Sequence, residues 1–272
     1  MSAAKKIRQR RFLNAVTGKG ILIPIDHGLT MGPLKGIETT GHMGHWLRSP
    51  HINGVIAHKG MIERLAERNC LTGGVMVHLN GMTSIAPSPD TKEMLTSVAA
   101  AARLGADAVS VQVNFTGEND RHNLMLLGAV ADEAAALGLP LLTMLYDKGP
   151  LLPEKKRVQR QRHLLRAAIE LGTDMLKISL PSVAEVAPLL ADLQEEALIF
   201  VAGGQVGDER ELLAQVSTAL HYGAAGVCVG RNVFERSNPA EFLAMLAATI
   251  HGHPSLGTAG GEIKKVLSYG AH

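Results

Sequence analysis

Aromatic side chains are scarce in this chain of 272 residues, which has one Trp, three Tyr and five Phe, or 3% of the sequence. Proteins that hold single-stranded nucleic acids stack the bases on aromatic rings, and proteins that bind duplexes neutralise phosphates with many Lys and Arg. The formal net charge here is only +2. The composition therefore predicts that the protein has no nucleic-acid partner.

Paired cysteines and long apolar stretches are also lacking. Cys70 and Cys228 form no metal-ligand pattern, so we expect two free thiols in a reducing compartment. No stretch reaches the uncharged length of a membrane span, and the basic segment 5–11 is not followed by a signal-peptide core. We therefore expect a soluble, cytoplasmic protein with no membrane partner.

What the sequence does contain is a regular alternation of short apolar runs and helical patterns. Runs typical of buried strands span 21–26, 55–58, 75–79, 108–113, 141–146, 175–178, 198–202 and 226–229. Helical patterns between them cover about 92–104, 122–137, 156–171, 182–194 and 209–221. Strands that alternate with crossovers predict a single-domain α/β protein, a (β/α)8 TIM barrel over 1–256 with a basic N-terminal segment and a C-terminal tail at 257–272. An open doubly wound sheet is the alternative, although no Gly-rich phosphate turn follows the first run.

Polar residues gather after these predicted strands, at the barrel end where TIM barrels place their active sites. In chain order they are Asp26 and His27, His58 and Lys59, His78 and Asn80, Gln112 and Asn114, Tyr146 to Lys148, Lys177, Gly203 to Gln205, and Gly230 with Arg231. The strand beginnings are mostly apolar or glycine, so we expect the active site at the carboxyl ends.

The most informative of these residues is Lys177, which interrupts the apolar run 175–178. Lysine is rarely buried because removing its charge from water is costly, and burial lowers its pKa. The neutral amine is the nucleophile that forms a Schiff base with a carbonyl compound. The alternative is a lysine at a strand end that extends to solvent.

Two further residues fit proton transfer around such an imine. Tyr146 closes the preceding predicted strand and would neighbour Lys177 as a general acid/base, or it is an aromatic of the rim. Asp26 ends the first predicted strand, where it would pair with an iminium or carry a proton; the alternative is a turn or capping aspartate before Gly28. We expect these three residues to be catalytic.

The last two predicted strands are followed by a candidate phosphate site. Gly203 and Gly204 follow the seventh strand, and Gly230 and Arg231 follow the eighth, where barrels commonly bind phosphate. Glycines let backbone N–H groups approach an anion, and arginine can contact two of its oxygens. A phosphorylated ketone or ketose held there would have its carbonyl group near Lys177.

Taken together, these strings resemble the archaeal-type class I aldolases, a family that includes fructose-bisphosphate aldolase, 2-amino-3,7-dideoxy-D-threo-hept-6-ulosonate synthases and the thiolase that degrades phosphorylated autoinducer-2. The resemblance covers nearly the whole chain and rests on segments 24–28, 32–33, 146–149, 202–204 and 230–234 together with Lys177. It implies Lys177 as the Schiff-base lysine, Tyr146 as the acid/base and Asp26 as the carboxylate. It also implies phosphate binding by Gly203, Gly204, Gly230 and Arg231, an aldehyde co-substrate, no metal or other cofactor, and a homo-oligomer.

The chain departs from this family in ways that bear on the substrate. Asp147 and Lys148 stand where the family often has Pro-Arg, and Glu235 stands where it often has glutamine. We expect His27 and Lys148 to contact substrate, with Lys148 on a carboxylate or second phosphate and Asp147 beside an amino group, as aspartate semialdehyde carries. The sequences of the motifs are most similar to those of the heptulosonate synthase branch.

Functions of other classes stay open on the residues alone. The barrel would bind a phosphosugar without turnover, or it would act as a lyase without a covalent imine. His27, His58 and His78 follow three successive predicted strands and are the candidate ligands of a zinc site, as in metal-dependent aldolases.

Overall fold

A closed barrel of eight parallel strands forms the centre of the protein. The computed structural model describes residues 1–252, so the predicted tail at 257–272 and the last residues of the predicted barrel segment lie outside the described residues. The strands are β1 (Gly20–Pro24), β2 (Gly54–Ala57), β3 (Gly74–His78), β4 (Ala108–Phe115), β5 (Leu141–Asp147), β6 (Met175–Ser179), β7 (Leu198–Ala202) and β8 (Gly226–Cys228). Each pairs with the next in the chain, and β8 pairs with β1. The predicted (β/α)8 barrel is thus confirmed.

Helices surround the barrel and connect its strands. They are α1 (Ala3–Gln9), α2 (His27–Met31), α3 (Thr40–Leu47), α4 (Lys59–Glu67), α5 (Val98–Arg103), α6 (Asp120–Ala136), α7 (Glu154–Glu170), α8 (Val183–Leu190), α9 (Glu209–His221), α10 (Arg231–Phe234) and α11 (Pro239–His251), with 3-10 turns at Arg10–Phe12 and Leu193–Glu195. Helices α1 to α4, α10 and α11 were not predicted from the sequence. Within residues 1–252, no helix is both long and apolar enough to cross a bilayer.

The helix predicted at 92–104 begins six residues later than expected. Ser97 caps α5 by accepting a hydrogen bond from the Ala100 amide, and this fixes the start of the helix at Val98. Before the cap, Glu93–Met94 pairs antiparallel with Asn80–Gly81, so the preceding segment is a loop folded over the end of the barrel. Lys92 therefore belongs to this loop and not to a helix.

Apolar side chains fill the barrel interior, and Phe12 closes its amino-terminal end. The interior cluster contains Phe12, Leu22, Ile56, Met76, Ala108, Leu142, Met144, Met175, Phe200, Ala225 and Cys228. Gly74 leaves room for the Phe12 ring, since a Cβ at that position would lie 2.7 Å from a ring carbon. The packed interior leaves the opposite, carboxyl-terminal end as the place where a substrate can enter.

The basic N-terminal segment that precedes Phe12 is attached to the barrel by ion pairs. Lys5 Nζ lies 2.7 Å from the Asp174 carboxylate in a buried ion pair, and Arg11 pairs with Asp107. Both acceptors stand just before barrel strands, and each also accepts a backbone N–H group from a neighbouring strand. Two of the positive charges at the start of the chain therefore form ion pairs with carboxylates at the amino-terminal end of the barrel.

Candidate active site

The alternation of side chains along a strand decides which polar residues reach the interior of the barrel. Met144 on β5 and Met175 on β6 belong to the interior cluster, and Tyr146 packs against it. Lys177 is two residues beyond Met175 and so points inward. Strand register pairs Lys177 with Met144, and the lysine Nζ lies 3.7 Å from the methionine Sδ. Tyr146 and Lys177 therefore meet in one cleft, as predicted.

Lys177 is buried, with 5% of its surface exposed, which excludes the alternative of a lysine extended to solvent. Burial alone lowers its pKa, but Tyr146, Cys228 and Asp26 act in the opposite direction and raise the pKa above the ordinary lysine value. Burial raises the pKa of the Cys228 thiol to about 11, so Asp26 supplies the negative charge at neutral pH. The expectation of a lowered Lys177 pKa was wrong, because it took account of burial but not of the neighbouring Tyr146, Cys228 and Asp26.

Asp26 stands immediately before α2, yet its side chain caps no backbone amide. Its carboxylate lies 3.6 Å from His27 Nδ1 and 3.8 Å from His78 Nε2, and its Oδ1 has no hydrogen-bond partner among residues 1–252. Burial by itself raises the pKa of this carboxyl, but His27, His78 and Lys177 together hold it well below its usual range. Asp26 is therefore a buried anion in the cleft, and the capping alternative is not the structure observed.

The histidines around Asp26 are neutral near pH 7. Burial lowers the pKa of His78 to about 3 and also lowers the pKa values of His27 and His58. His78 Nδ1 lies 2.8 Å from Ser110 Oγ, which fixes the ring with Nε2 towards Asp26. The role of Ser110 was missed, although it occupies an inward position of β4. Among residues 1–252, no three or more His, Cys, Asp or Glu side chains form a metal-binding group.

One half of the cleft contains the predicted phosphate residues. Its cavity of about 450 Å³ is lined by Gly203, Gly204, Gly230 and Arg231 as well as by Tyr146 and Lys177. Gly204 has a φ of +68°, and a Cβ on Gly230 would lie 2.7 Å from the Pro24 carbonyl oxygen, so both positions need glycine. Asn232 Nδ2 donates to the Gly203 carbonyl at 2.7 Å and joins the two loops. The contribution of Asn232 was not predicted.

The other half of the cleft is a cavity of about 380 Å³ that also has Lys177 in its lining. Asp26, Asp90, Lys92 and Gln112 line it, and five residues are shared by both halves: His27, Tyr146, Lys148, Lys177 and Arg231. None of the ion pairs formed within residues 1–252 involves Arg231 or Lys148. Lys92 is not a member of these ion pairs either, so the cleft presents three uncommitted cations beside the buried Lys177.

Some of the polar residues predicted to line the active site point away from the cleft. Asp147 is the outward neighbour of Tyr146 and pairs with Arg160 of α7 at 2.7 Å, so the proposed contact with a substrate amino group is wrong. Asn80 bonds through its amide to the backbone of Gln112, in both directions at 2.8 Å. Lys59 is exposed and donates to the Leu95 carbonyl. The outward direction of Asp147 follows from strand alternation, which the sequence analysis did not apply to it.

A closed (β/α)8 barrel with a buried lysine, tyrosine and carboxylate between two polar half-clefts defines an enzyme of the lysine-dependent aldolase type. Residues 21–236 match the model of the DeoC/LacD family aldolases. The chain belongs to this family. The sequence-based expectation of an aldolase, and the resemblance to class I aldolases, are thereby confirmed.

Known relatives agree with this assignment along most of the chain. A 2-amino-4,5-dihydroxy-6-oxo-7-(phosphonooxy)heptanoate synthase of Streptomyces griseus is 34% identical, over 94% of this chain and 93% of that protein. A 2-amino-3,7-dideoxy-D-threo-hept-6-ulosonate synthase of Archaeoglobus fulgidus is 35% identical, over 92% of each. The solved structure of a Schiff-base-forming fructose-1,6-bisphosphate aldolase superposes with a TM-score of 0.79 at 24% identity, covering 90% of this chain and 99% of that one. This last likeness concerns the fold.

Proposed function

We propose that this protein catalyses an aldol condensation in which Lys177 forms an imine with a phosphorylated ketone and the resulting enamine attacks an amino-acid aldehyde. One observation carries the proposal. Lys177 is buried where the two half-clefts meet, with a glycine and arginine site on one side and a separate polar cavity on the other. A ketone anchored by its phosphate in the first half would place its carbonyl beside the amine, and the second half would receive the aldehyde.

The names of the relatives indicate the substrates by their chemistry. The product named for the Streptomyces griseus relative has a ketone at C6, a phosphonooxy group at C7 and hydroxyls at C4 and C5. Disconnecting its C4–C5 bond as an aldol gives dihydroxyacetone phosphate and 2-amino-4-oxobutanoate, which is aspartate semialdehyde. The product named for the Archaeoglobus fulgidus relative keeps the amino group but is deoxygenated at C7. Arg231 and the glycine loops favour the phosphorylated donor, and hydroxyacetone is the second candidate.

The charge state of the cleft suits imine formation. The ammonium of Lys177 would first release one proton to solvent, and the neutral amine, the ketone and the Tyr146 phenol would then give an iminium, one water and a phenolate, so Lys177 starts and ends this step as a cation. Asp26 would remain its counter-ion throughout, which stabilises the iminium. Tyr146 would move protons between the amine and the ketone oxygen, and finally protonate the carbinolamine hydroxyl so that it leaves as water.

The carbon–carbon step would use the same tyrosine. The phenolate left after water departs takes a proton from the donor carbon next to the iminium, which gives a neutral enamine and restores the phenol. The enamine carbon then attacks the aldehyde, whose oxygen takes the phenol proton as the bond forms and the iminium is regenerated. Water hydrolyses this iminium and one of its protons returns to the Tyr146 phenolate, which releases the product and the neutral amine, and the amine regains one proton from solvent. Lys177 and Tyr146 would thus be the catalytic residues, with Asp26 as the charged partner.

Product analysis tests this function. We expect dihydroxyacetone phosphate and aspartate semialdehyde together to give a phosphorylated seven-carbon amino acid, detectable by mass spectrometry. Hydroxyacetone as donor and glyceraldehyde 3-phosphate as acceptor test the other branches of the family. Failure of every donor to give product with aspartate semialdehyde would contradict the proposed condensation. We also propose that the enzyme acts as a cytoplasmic homo-oligomer, which light scattering on the purified protein would test for assembly.

A further inference from the structure

The half-cleft lined by Asp26 and Asp90 contains a second buried lysine that the proposed chemistry does not use. Lys92 has 3% of its surface exposed and lines this cavity together with Asp90 and Asp26. The only hydrogen bond that its Nζ forms with residues 1–252 is a long one, 3.5 Å to the Met82 carbonyl oxygen. A buried ammonium costs free energy unless it is paired. We therefore expect an anionic group of a ligand to enter the cleft and pair with Lys92.

The loop that presents Lys92 is fixed to its neighbours. The Lys92 carbonyl oxygen lies 2.9 Å from His122 Nε2. Asn114 Nδ2 lies 3.1 Å from the Asp90 carbonyl oxygen and 3.2 Å from its carboxylate. Residues beyond Lys92 continue as the short antiparallel strand Glu93–Met94. Lys92 is therefore held in place before any ligand arrives, and preorganised groups of this kind bind charge without paying an ordering penalty.

The charges of this half-cleft also indicate what the ligand carries. Burial lowers the pKa of Lys92; Asp90 and Asp26 oppose this effect, and the nearby Lys148 adds to it. An incoming anion would relieve the repulsion between Lys92 and Lys148. Because Asp90 and Asp26 line the same cavity, a group with two negative charges would be repelled more than a carboxylate. A carboxylate with a neighbouring ammonium group complements this arrangement best.

We propose that this half-cleft is the subsite for the aldehyde co-substrate and that Lys92 binds the carboxylate of that aldehyde. The inference rests on the proposed aldol function and assigns its acceptor a binding residue. It also indicates how one active site tells its two substrates apart: Arg231 and Lys148 line both half-clefts, whereas the glycine loops line only the donor half and Lys92, with Asp26 and Asp90, lines only the acceptor half.

The test compares aldehydes of similar size that differ in charge. In Lys92→Met, we expect KM for succinic semialdehyde and aspartate semialdehyde to rise roughly 10- to 100-fold, the usual worth of a charged hydrogen bond. KM for butanal, which has no carboxylate, should stay within about twofold of its value in the unchanged protein. Lys59→Met is the matched control, because Lys59 is an exposed lysine that also donates to a backbone carbonyl oxygen but does not line the cleft. It should leave all three values unchanged.

Two results would overturn the assignment of Lys92. One is an equal change, or no change, in KM for the charged and uncharged aldehydes; the other is a loss confined to glyceraldehyde 3-phosphate, which would make the bound group a phosphate. Borohydride trapping of the donor on Lys92→Met shows that the variant is folded and separates the two proposals. If trapping fails in the unchanged protein, the aldol function itself is wrong. If Lys92→Met alone fails to trap, Lys92→Arg replaces it and should still prefer succinic semialdehyde over butanal.

Discussion

Replacing Asp26 by asparagine tests the electrostatics of the site most informatively. Asp26→Asn preserves the shape of the side chain but removes the negative charge that raises the pKa of Lys177. Both groups lie in the closed part of the cleft, with 11% of the Asp26 side chain and 5% of Lys177 exposed, so solvent screens them little. An opposite charge next to a buried group typically shifts its pKa by roughly 1–3 units. We therefore expect the Lys177 pKa to fall by that amount in the variant.

The lower pKa should make the amine of Lys177 more reactive, whereas most mutations in an active site make its groups less reactive. Since only the neutral amine reacts, the rate at which an amine-directed reagent modifies Lys177 at pH 8 should increase by about 10- to 1000-fold, which is the same shift expressed as a population. Turnover should fall at the same time, because the iminium loses its counter-ion. The assay is the rate of covalent modification followed by mass spectrometry of the Lys177 peptide.

Asp90→Asn is the matched control for this experiment. It removes another carboxylate of the same cleft, but Asp90 is not among the groups that shift the pKa of Lys177. Its modification rate should equal that of the unchanged protein. An unchanged or slower rate in Asp26→Asn would refute the conclusion that Asp26 holds Lys177 as an ammonium.

Three further predictions concern neighbouring residues. Tyr146→Phe should slow turnover by roughly 10²–10⁴-fold while a reduced imine can still be trapped, and near-normal turnover would remove Tyr146 from the acid/base role. Arg231→Ala should raise KM for dihydroxyacetone phosphate by at least about 10-fold but leave hydroxyacetone unaffected, and equal effects on both would make Arg231 structural. His78 is neutral in the folded protein down to pH about 3 but protonated below about 6.5 when unfolded, so it removes stability as pH falls through that window. In His78→Gln, the slope of unfolding free energy against pH from 6 to 4 should therefore be smaller by about 1.4 kcal/mol per pH unit, measured by urea unfolding, and an unchanged slope would contradict the neutral buried state.

Strand positions and the residues at strand ends could be read from the sequence because short apolar runs bounded by glycine have few other interpretations. Lys177 and Tyr146 could be assigned to adjacent strands for the same reason. The direction of each side chain follows from the alternation of inward and outward positions along a strand, which repeats every two residues. Tyr146 lies inward with Met144, and Asp147, one position later, reaches Arg160 on the outer helix layer.

Other features depend on contacts between segments far apart in the chain. The 92–104 segment has a helical pattern, but pairing of Glu93–Met94 with Asn80–Gly81 overrides it and brings Lys92 into the cleft. The raised Lys177 pKa depends on Tyr146, Cys228 and Asp26, and Asp26, just after the first strand of the barrel, reaches the lysine only when the barrel closes. Ser110 and Asn232 were missed because each acts through a hydrogen bond to another loop or strand.

The proposed function depends on covalent attachment of the donor ketone to Lys177. The direct measurement is borohydride reduction in the presence of dihydroxyacetone phosphate, followed by mass spectrometry of the digested protein. We predict one reduced donor molecule per chain, on the peptide that contains Lys177, and no adduct in Lys177→Met, which keeps an apolar side chain of similar length in the barrel. Absence of an adduct in a preparation that turns over, or an adduct on another lysine, would contradict the account.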